Sequence, residues 1–359
     1  MSRFLEIDLE AIAGNVKIIK KITGKKLLAV VKCNGYGMGA IPVSRKIERA
    51  VDWFGVATIE EAVSLRKTGI TKPILVLGPS LETDVKKAVE YRISLTAASS
   101  TFIRSIINAK NISIHLKVDT GMGRIGILPE EVSSVMDIIK NSKGIKLEGI
   151  FSHLATSERA DRKFAIKQIE IFKQVLAVVP AKLRVITHIA NSGGIVNIPE
   201  SVENFSMVRT GLLLYGVYPS LFLKTFKAIP SLKYALKGIA KILSVRKIPA
   251  GTRISYGGTF TCKQDTTIAI AGIGYGDGLN RALSNKFYMK YKEELLSIRG
   301  NICMDQTVLE VKKNIKEAGE VIFLDNQLSI ELMAEICGTV PHAIMTAFGA
   351  SRLKKVYHG

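Results

Sequence analysis

Eight short apolar runs, separated by amphipathic stretches, constrain this chain more than any other feature. They occupy residues 27–32, 53–57, 74–77, 93–97, 112–118, 147–152, 184–189 and 205–208. Each is rich in Val, Ile or Leu without polar alternation, as strands buried on both faces are. Most are followed by a stretch of helical periodicity. Thr58-Ile59-Glu60-Glu61 reads as a capping box, and Pro129-Glu130-Glu131 places Pro and acids where a first helical turn favours them. Before the first run, Leu9, Ile12, Val16 and Ile19 share one helical face. The alternation predicts an α/β fold whose N-terminal part, residues 1–229, is a (β/α)8 TIM-like barrel.

The pattern changes near Ile229. Residues 239–248, 252–262, 267–275 and 295–311 read as strands with Gly-rich turns, and residues 329–337 as a last helix before a basic tail. A C-terminal, mainly β domain over 230–359 is expected.

The balance of 51 basic and 31 acidic residues gives a net charge of +20. That alone fits a nucleic-acid or membrane partner. The lysines are scattered, however: Lys17, Lys20, Lys21, Lys25 and Lys26, then Lys224, Lys227, Lys233 and Lys237. They alternate with apolar residues as solvated faces do. Neither a nucleic-acid nor a membrane partner is expected. Cys33, Cys262, Cys303 and Cys337 lie far apart with no metal-ligand spacing, so no metal is expected and free thiols in the cytoplasm are the simpler reading. The acidic N-terminus is not a signal peptide.

In barrels the chemistry sits at the C-terminal ends of the strands. Lys32, Lys117, Asp119, Arg124, His153, Ser192 and Arg209 all fall there. Lys32 ends an apolar strand, where burial would lower its pKa and give a nucleophilic amine. From the strand alone it is equally a lysine reaching solvent. The next residues, Asn34-Gly35-Tyr36-Gly37-Met38-Gly39, form either a plain turn or a loop whose N–H groups and phenol suit a phosphate. Asn191-Ser192-Gly193-Gly194 has the same two readings. Arg124 follows two glycines, a setting for bidentate grip on a carboxylate. His153 and His188 each read first as structural histidines. Arg209 precedes Thr210-Gly211 in a last loop, the region that binds phosphate in many barrels; it could instead face a ring nitrogen. Tyr256, Tyr275 and Met304 lie in tight turns of the β domain and carry no separate signal.

Taken together and in order, VVKCNGYGMG, HLKVDTGMGRIG, GIFSHLATSE, HIANSGG, VRTGLLLYGVYP, ISYGGTF, GIGYGDG and GNICMDQ resemble the alanine racemase family of barrel-type pyridoxal 5'-phosphate enzymes. The resemblance implies L-/D-alanine interconversion that supplies D-alanine for peptidoglycan, by a homodimer whose sites are shared between subunits. It implies that Lys32 holds the cofactor and is one acid/base, and that Tyr256 of the partner chain is the other. Arg209 would face the pyridine nitrogen, and Tyr36, Ser192 and the backbone at Gly211 would hold phosphate. His153 would lie against the ring, Arg124 and Met304 would meet the substrate carboxylate, and Tyr275 would line the entrance. Lys117 matches a lysine carbamylated in some members.

The sequence also departs from the family. Gly35 and Gly276 stand where Ala is usual, Met38 where His is, and Thr210 where Pro is. Pro341-His342-Ala343 replaces Pro-Tyr-Glu, and residues 351–355 depart from the usual ending. These leave room for a racemase of serine or another small amino acid. A non-catalytic pyridoxal-phosphate carrier would share only the barrel.

Overall fold

A short strand, β1 (Arg3–Asp8), opens the chain and runs into the helix Leu9–Thr23. The computed structural model describes residues 3–180, 183–226, 229–311 and 315–359; Lys227 lies outside them. Asp8 caps the first helix by accepting from Ala11 N at 2.8 Å, which satisfies one free N–H of the first turn. The helix buries Leu9, Ile12, Val16 and Ile19, as the 3.6-residue spacing requires. It also buries Asn15, whose amide donates to Leu214 O and Lys233 O and accepts from Lys233 N. That side chain fastens the helix to the segment between the two halves of the chain.

The eight apolar runs become eight parallel strands: β2 (Lys26–Val30), β3 (Trp53–Val56), β4 (Ile74–Val76), β5 (Leu95–Ala97), β6 (Ile112–Lys117), β7 (Ile145–Phe151), β8 (Ile186–His188) and β9 (Met207–Thr210). β4-β3-β2-β9 and β5-β6-β7-β8 form two continuous ladders. A parallel bridge, Leu75 to Ser94, joins β4 to the approach of β5. Ser206 N donates to Thr187 O at 3.0 Å between β8 and β9. The ladders therefore close into a barrel with helices outside it. Leu27, Leu28, Ala29, Phe54 and Leu116 are fully buried, which explains why the runs lack polar alternation.

The rest of the chain builds a β domain from β10 (Leu236–Ile248), β11 (Arg253–Ile254), β12 (Phe260–Thr261), β13 (Thr266–Ala271), β14 (Tyr288–Tyr291), β15 (Glu294–Ser297), β16 (Thr307–Val311), β17 (Glu320–Leu324) and β18 (Lys354–His358). Its main sheet runs β15-β14-β17-β10-β1-β18, with β13 paired to both β10 and β16. β1 thus belongs to this sheet although it precedes the barrel in sequence, and a cut at 229/230 separates it from its partners β10 and β18.

Three expectations are corrected. Residues 252–262 are not one strand: β11 and β12 flank a turn at Tyr256–Gly258, where Gly257 and Gly258 take φ of 73° and 54°, values that interrupt a ladder. Residues 295–311 are two strands, and the loop between them carries Met304. The basic tail is ordered as the helix Pro341–Ala350 and then β18, parallel to β1 at the sheet edge, a position that tolerates lysines. No helix among the described residues is long and apolar enough to cross a membrane.

Candidate active site

The C-terminal ends of the barrel strands surround a cavity of about 910 Å³. Lys32 enters it from the end of β2. Burial lowers the pKa of its amine, and the guanidiniums of Arg124 and Arg209 act in the same direction against Cys33 and Glu61. A neutral amine is the nucleophilic form.

The chain leaves Lys32 in an unusual way. Cys33, Asn34, Gly35 and Tyr36 have φ of 52°, 53°, 65° and 56°, a left-handed turn built mostly from non-glycine residues. Each such residue costs roughly 1–2 kcal/mol, so the surroundings must hold it. Glu61 Oε1 accepts from Cys33 N at 2.6 Å, and Asn34 Oδ1 accepts from Ala40 N at 2.9 Å. Tyr215 Oη donates to Gly35 O at 2.8 Å and Tyr357 Oη donates to Met38 O at 3.1 Å. The turn swings the buried Tyr36 ring against Gly211. A Cβ at Gly211 would stand 2.1 Å from Tyr36 Oη, so only glycine fits there. Burial raises the Tyr36 pKa, which keeps its phenol protonated. Ser192, at the start of a short helix capped by Asn191, shares a 2.8 Å hydrogen bond with Thr210. Hydroxyls and backbone N–H groups thus gather at one end of the cavity, as an anion requires.

Arg209 ends β9 and is only 3% exposed. It donates to His188 Nδ1 (2.8 Å), Ser152 O (2.9 Å), His153 Nδ1 (3.0 Å) and Ile189 O (3.1 Å). None of these acceptors is a carboxylate, and burial lowers its pKa to about 9. Arginine can only donate, so His188 Nδ1 is unprotonated. Its proton is then on Nε2, which donates to His115 Nδ1 at 3.0 Å. Burial, reinforced by Arg209, lowers the pKa of His153 and His188 well below the usual value, and all three rings are neutral near pH 7.

Lys117 is buried at the end of β6 and donates to Val118 O at 3.0 Å. Burial first, then Arg209, lowers its pKa to about 7. Asp119 is paired with neither Lys117 nor Arg124 side chains. Its carboxylate accepts from the backbone N–H groups of residues 121, 122, 123 and 124 at 2.8–3.2 Å. It shapes the loop that presents Arg124 at the cavity.

Tyr256, Tyr275 and Met304 do not line this cavity. Their exposures are 73%, 44% and 53%, and they cluster on the β domain. Asn301 Nδ2 donates to Tyr256 O at 2.7 Å, Tyr275 N to Cys303 O at 3.0 Å, and Gly276 N to Met304 O at 2.9 Å. Sequence reasoning missed Glu61, which it took for a helix-capping side chain. Thr58 does accept from Glu61 N, but the Glu61 carboxylate turns to Ala57 N and Cys33 N instead.

Fold and site together define an α/β-barrel enzyme with a nucleophilic lysine and an anion cradle in one cavity. The profile for "Alanine racemase, N-terminal domain" matches residues 7–219, and that for "Alanine racemase, C-terminal domain" matches residues 235–357. The chain belongs to the alanine racemase family. It is 37% identical to alanine racemase of Desulforamulus reducens, over 99% of this chain and 98% of the relative. It is 36% identical to alanine racemase 2 of Caldanaerobacter subterraneus subsp. tengcongensis, over 98% and 94%. Among solved structures, the alanine racemase from Bartonella henselae with covalently bound pyridoxal phosphate superimposes with a TM-score of 0.90 at 29% identity, covering all of both chains.

Proposed function

We propose that the protein interconverts L- and D-alanine with pyridoxal 5'-phosphate held at Lys32, as a cytoplasmic homodimer that supplies D-alanine for peptidoglycan. The observation that carries this reading is the pairing, in one cavity, of a lysine whose pKa burial lowers with a buried arginine that no carboxylate neutralises among the described residues. The residues fit the cofactor. Tyr36, Ser192 and the backbone at Gly211 bring donors to one cavity, packed so closely that a Cβ at 211 would strike the Tyr36 ring, and His153, bonded to Arg209, lines the same cavity. The four cysteines are free, which suits a reducing compartment. In this assignment residues 1–229 hold the cofactor and residues 230–359 face the partner subunit, β1 excepted.

When bound, pyridoxal phosphate supplies an electron sink that acidifies the Cα–H bond of an amino acid. Arg209 would act by its charge: a buried cation beside the cofactor's ring nitrogen would disfavour a proton there, which would limit the sink and suppress transamination. Racemisation needs a proton removed from one face of Cα and returned to the other. Lys32 Nζ serves one face, and Tyr256 of the partner subunit serves the other. Arg124 and the partner's Met304 hold the substrate carboxylate, and Tyr275 lines the entrance. A lone subunit should therefore bind cofactor yet racemise poorly. Assaying L-alanine, L-serine and L-lysine tests the reading; turnover of L-alanine slower than that of the other two would overturn its substrate.

Two further outcomes follow from the geometry. Gly211→Ala should push Tyr36 out of place. Pyridoxal phosphate should then bind on the order of tenfold more weakly, since 1.4 kcal/mol suffices for that and overpacking typically costs 1–3 kcal/mol. Fluorescence titration of the apoprotein measures it. Lys117, with a pKa near 7, is largely a free amine above that pH and protonated below it. Carbon dioxide adds only to the free amine, forming a carbamate and releasing a proton. With ¹³C-bicarbonate, a carbamate NMR signal absent from Lys117→Gln should grow from about pH 6 to pH 8. A signal that falls over that range contradicts the assignment.

A further inference from the structure

The loops bearing Tyr275 and Met304 meet through two backbone hydrogen bonds, and one side chain from elsewhere ties them together. Asp277, two residues after Tyr275, is fully buried. Its Oδ1 forms ion pairs with Arg3 Nε at 2.8 Å and Arg352 Nη2 at 3.1 Å, and its Oδ2 accepts from Gly274 N at 3.1 Å. The same Nη2 reaches Asp305, the residue after Met304, at 2.6 Å. Arg352 comes from the segment between the helix Pro341–Ala350 and β18, so its guanidinium spans the two loops. Gly276 permits the approach: a Cβ there would stand 2.7 Å from Arg352 Nη2 and 3.1 Å from Met304 O.

We propose that Arg352, bridging Asp277 and Asp305, is a positioning residue that fixes the Tyr275 and Met304 loops for use by the partner subunit's cavity. The inference rests on the reading above, in which those loops serve the other subunit. Arg352 and its ion-pair partners Asp277 and Asp305 do not line their own subunit's cavity, so its effect is exerted in trans. Arg3 still neutralises Asp277 when Arg352 is removed, so the fold survives while the loops loosen. Small displacements at a reacting centre are costly, on the order of tenfold to a hundredfold in rate.

The test uses the holoenzyme. Arg352→Ala, and separately Asp305→Asn, should lower kcat/KM for alanine about tenfold or more, with cofactor loading unchanged. Hydrogen–deuterium exchange should quicken at the amides of Tyr275 and Gly276. Each variant is then co-expressed with Lys32→Ala under a second tag, and heterodimers are isolated through both tags. The Arg352→Ala subunit keeps its own Lys32 and receives intact loops from its partner, so activity should return to about half that of the natural enzyme, one working site of two. A Tyr256→Phe and Lys32→Ala heterodimer is the control. Recovery in the control but not with Arg352→Ala overturns the positioning role and leaves the shared site intact. No recovery in the control overturns site sharing, and the inference with it. Unchanged exchange or unchanged kcat/KM in both single variants also overturns it.

Discussion

Lys32→Ala is expected to leave a folded protein that binds pyridoxal phosphate only reversibly and racemises alanine at least about 10⁴-fold more slowly. General acid–base catalysis alone contributes ~10²–10⁴-fold, and loss of covalent attachment adds to that. Stability should change little. Lys32 is half-buried, and its amine makes no hydrogen bond among the described residues. Removing it also relieves the desolvation that lowers its pKa, so no buried partner is left unpaired. The left-handed turn that follows is held from Glu61, Tyr215 and Tyr357, none of which depends on the Lys32 side chain. Thermal unfolding and steady-state kinetics on the same preparation check both halves. Substantial residual racemisation would mean that another group does the work assigned to Lys32.

Tyr256→Phe carries the second large effect, and its signature is directional. If Lys32 and the partner's Tyr256 work on opposite faces of Cα, loss of the phenol stops proton removal from one enantiomer only. The affected substrate is expected to be L-alanine, with Cα exchange slowed ~10²–10⁴-fold. Exchange of D-alanine with solvent should persist, because Lys32 can remove and return the proton on its own face. Overall racemisation cannot show this, since forward and reverse rates must obey one equilibrium constant. Deuterium incorporation into each recovered enantiomer does show it. The ring is 73% exposed, so the substitution should leave the folded subunit unchanged. Equal loss of exchange from both enantiomers would contradict the division of labour.

The barrel was legible in the sequence because burial on both faces leaves a plain chemical record: short runs of Val, Ile and Leu at regular intervals. The β domain left a weaker one. β1 alternates exposure along RFLEID, and β18 begins with two lysines at a sheet edge, so neither stood out as a strand. The helix Pro341–Ala350 buries Ile344, Met345 and Phe348, yet its Gly349 and flanking Pro341 obscured the pattern. Among site residues, Lys32, Lys117 and Arg209 were visible as charges at strand ends and Arg124 as one in the loop after β6, where buried charge is rare unless paired. Glu61 was hidden behind a local motif that explained it adequately. Tyr215, Tyr357 and Arg352 act across long sequence separations, and nothing within their own neighbourhoods marks them. Tyr256 and Met304 are ordinary exposed residues within one chain; the roles proposed for them depend on a second copy.

Covalent attachment of the cofactor is the most direct test of the whole account. The protein as purified is treated with borohydride, digested and mapped by mass spectrometry. The account predicts a reduced pyridoxyl phosphate adduct on the peptide containing Lys32, and on no other lysine. An adduct at a different lysine, or none after incubation with pyridoxal phosphate, would contradict it.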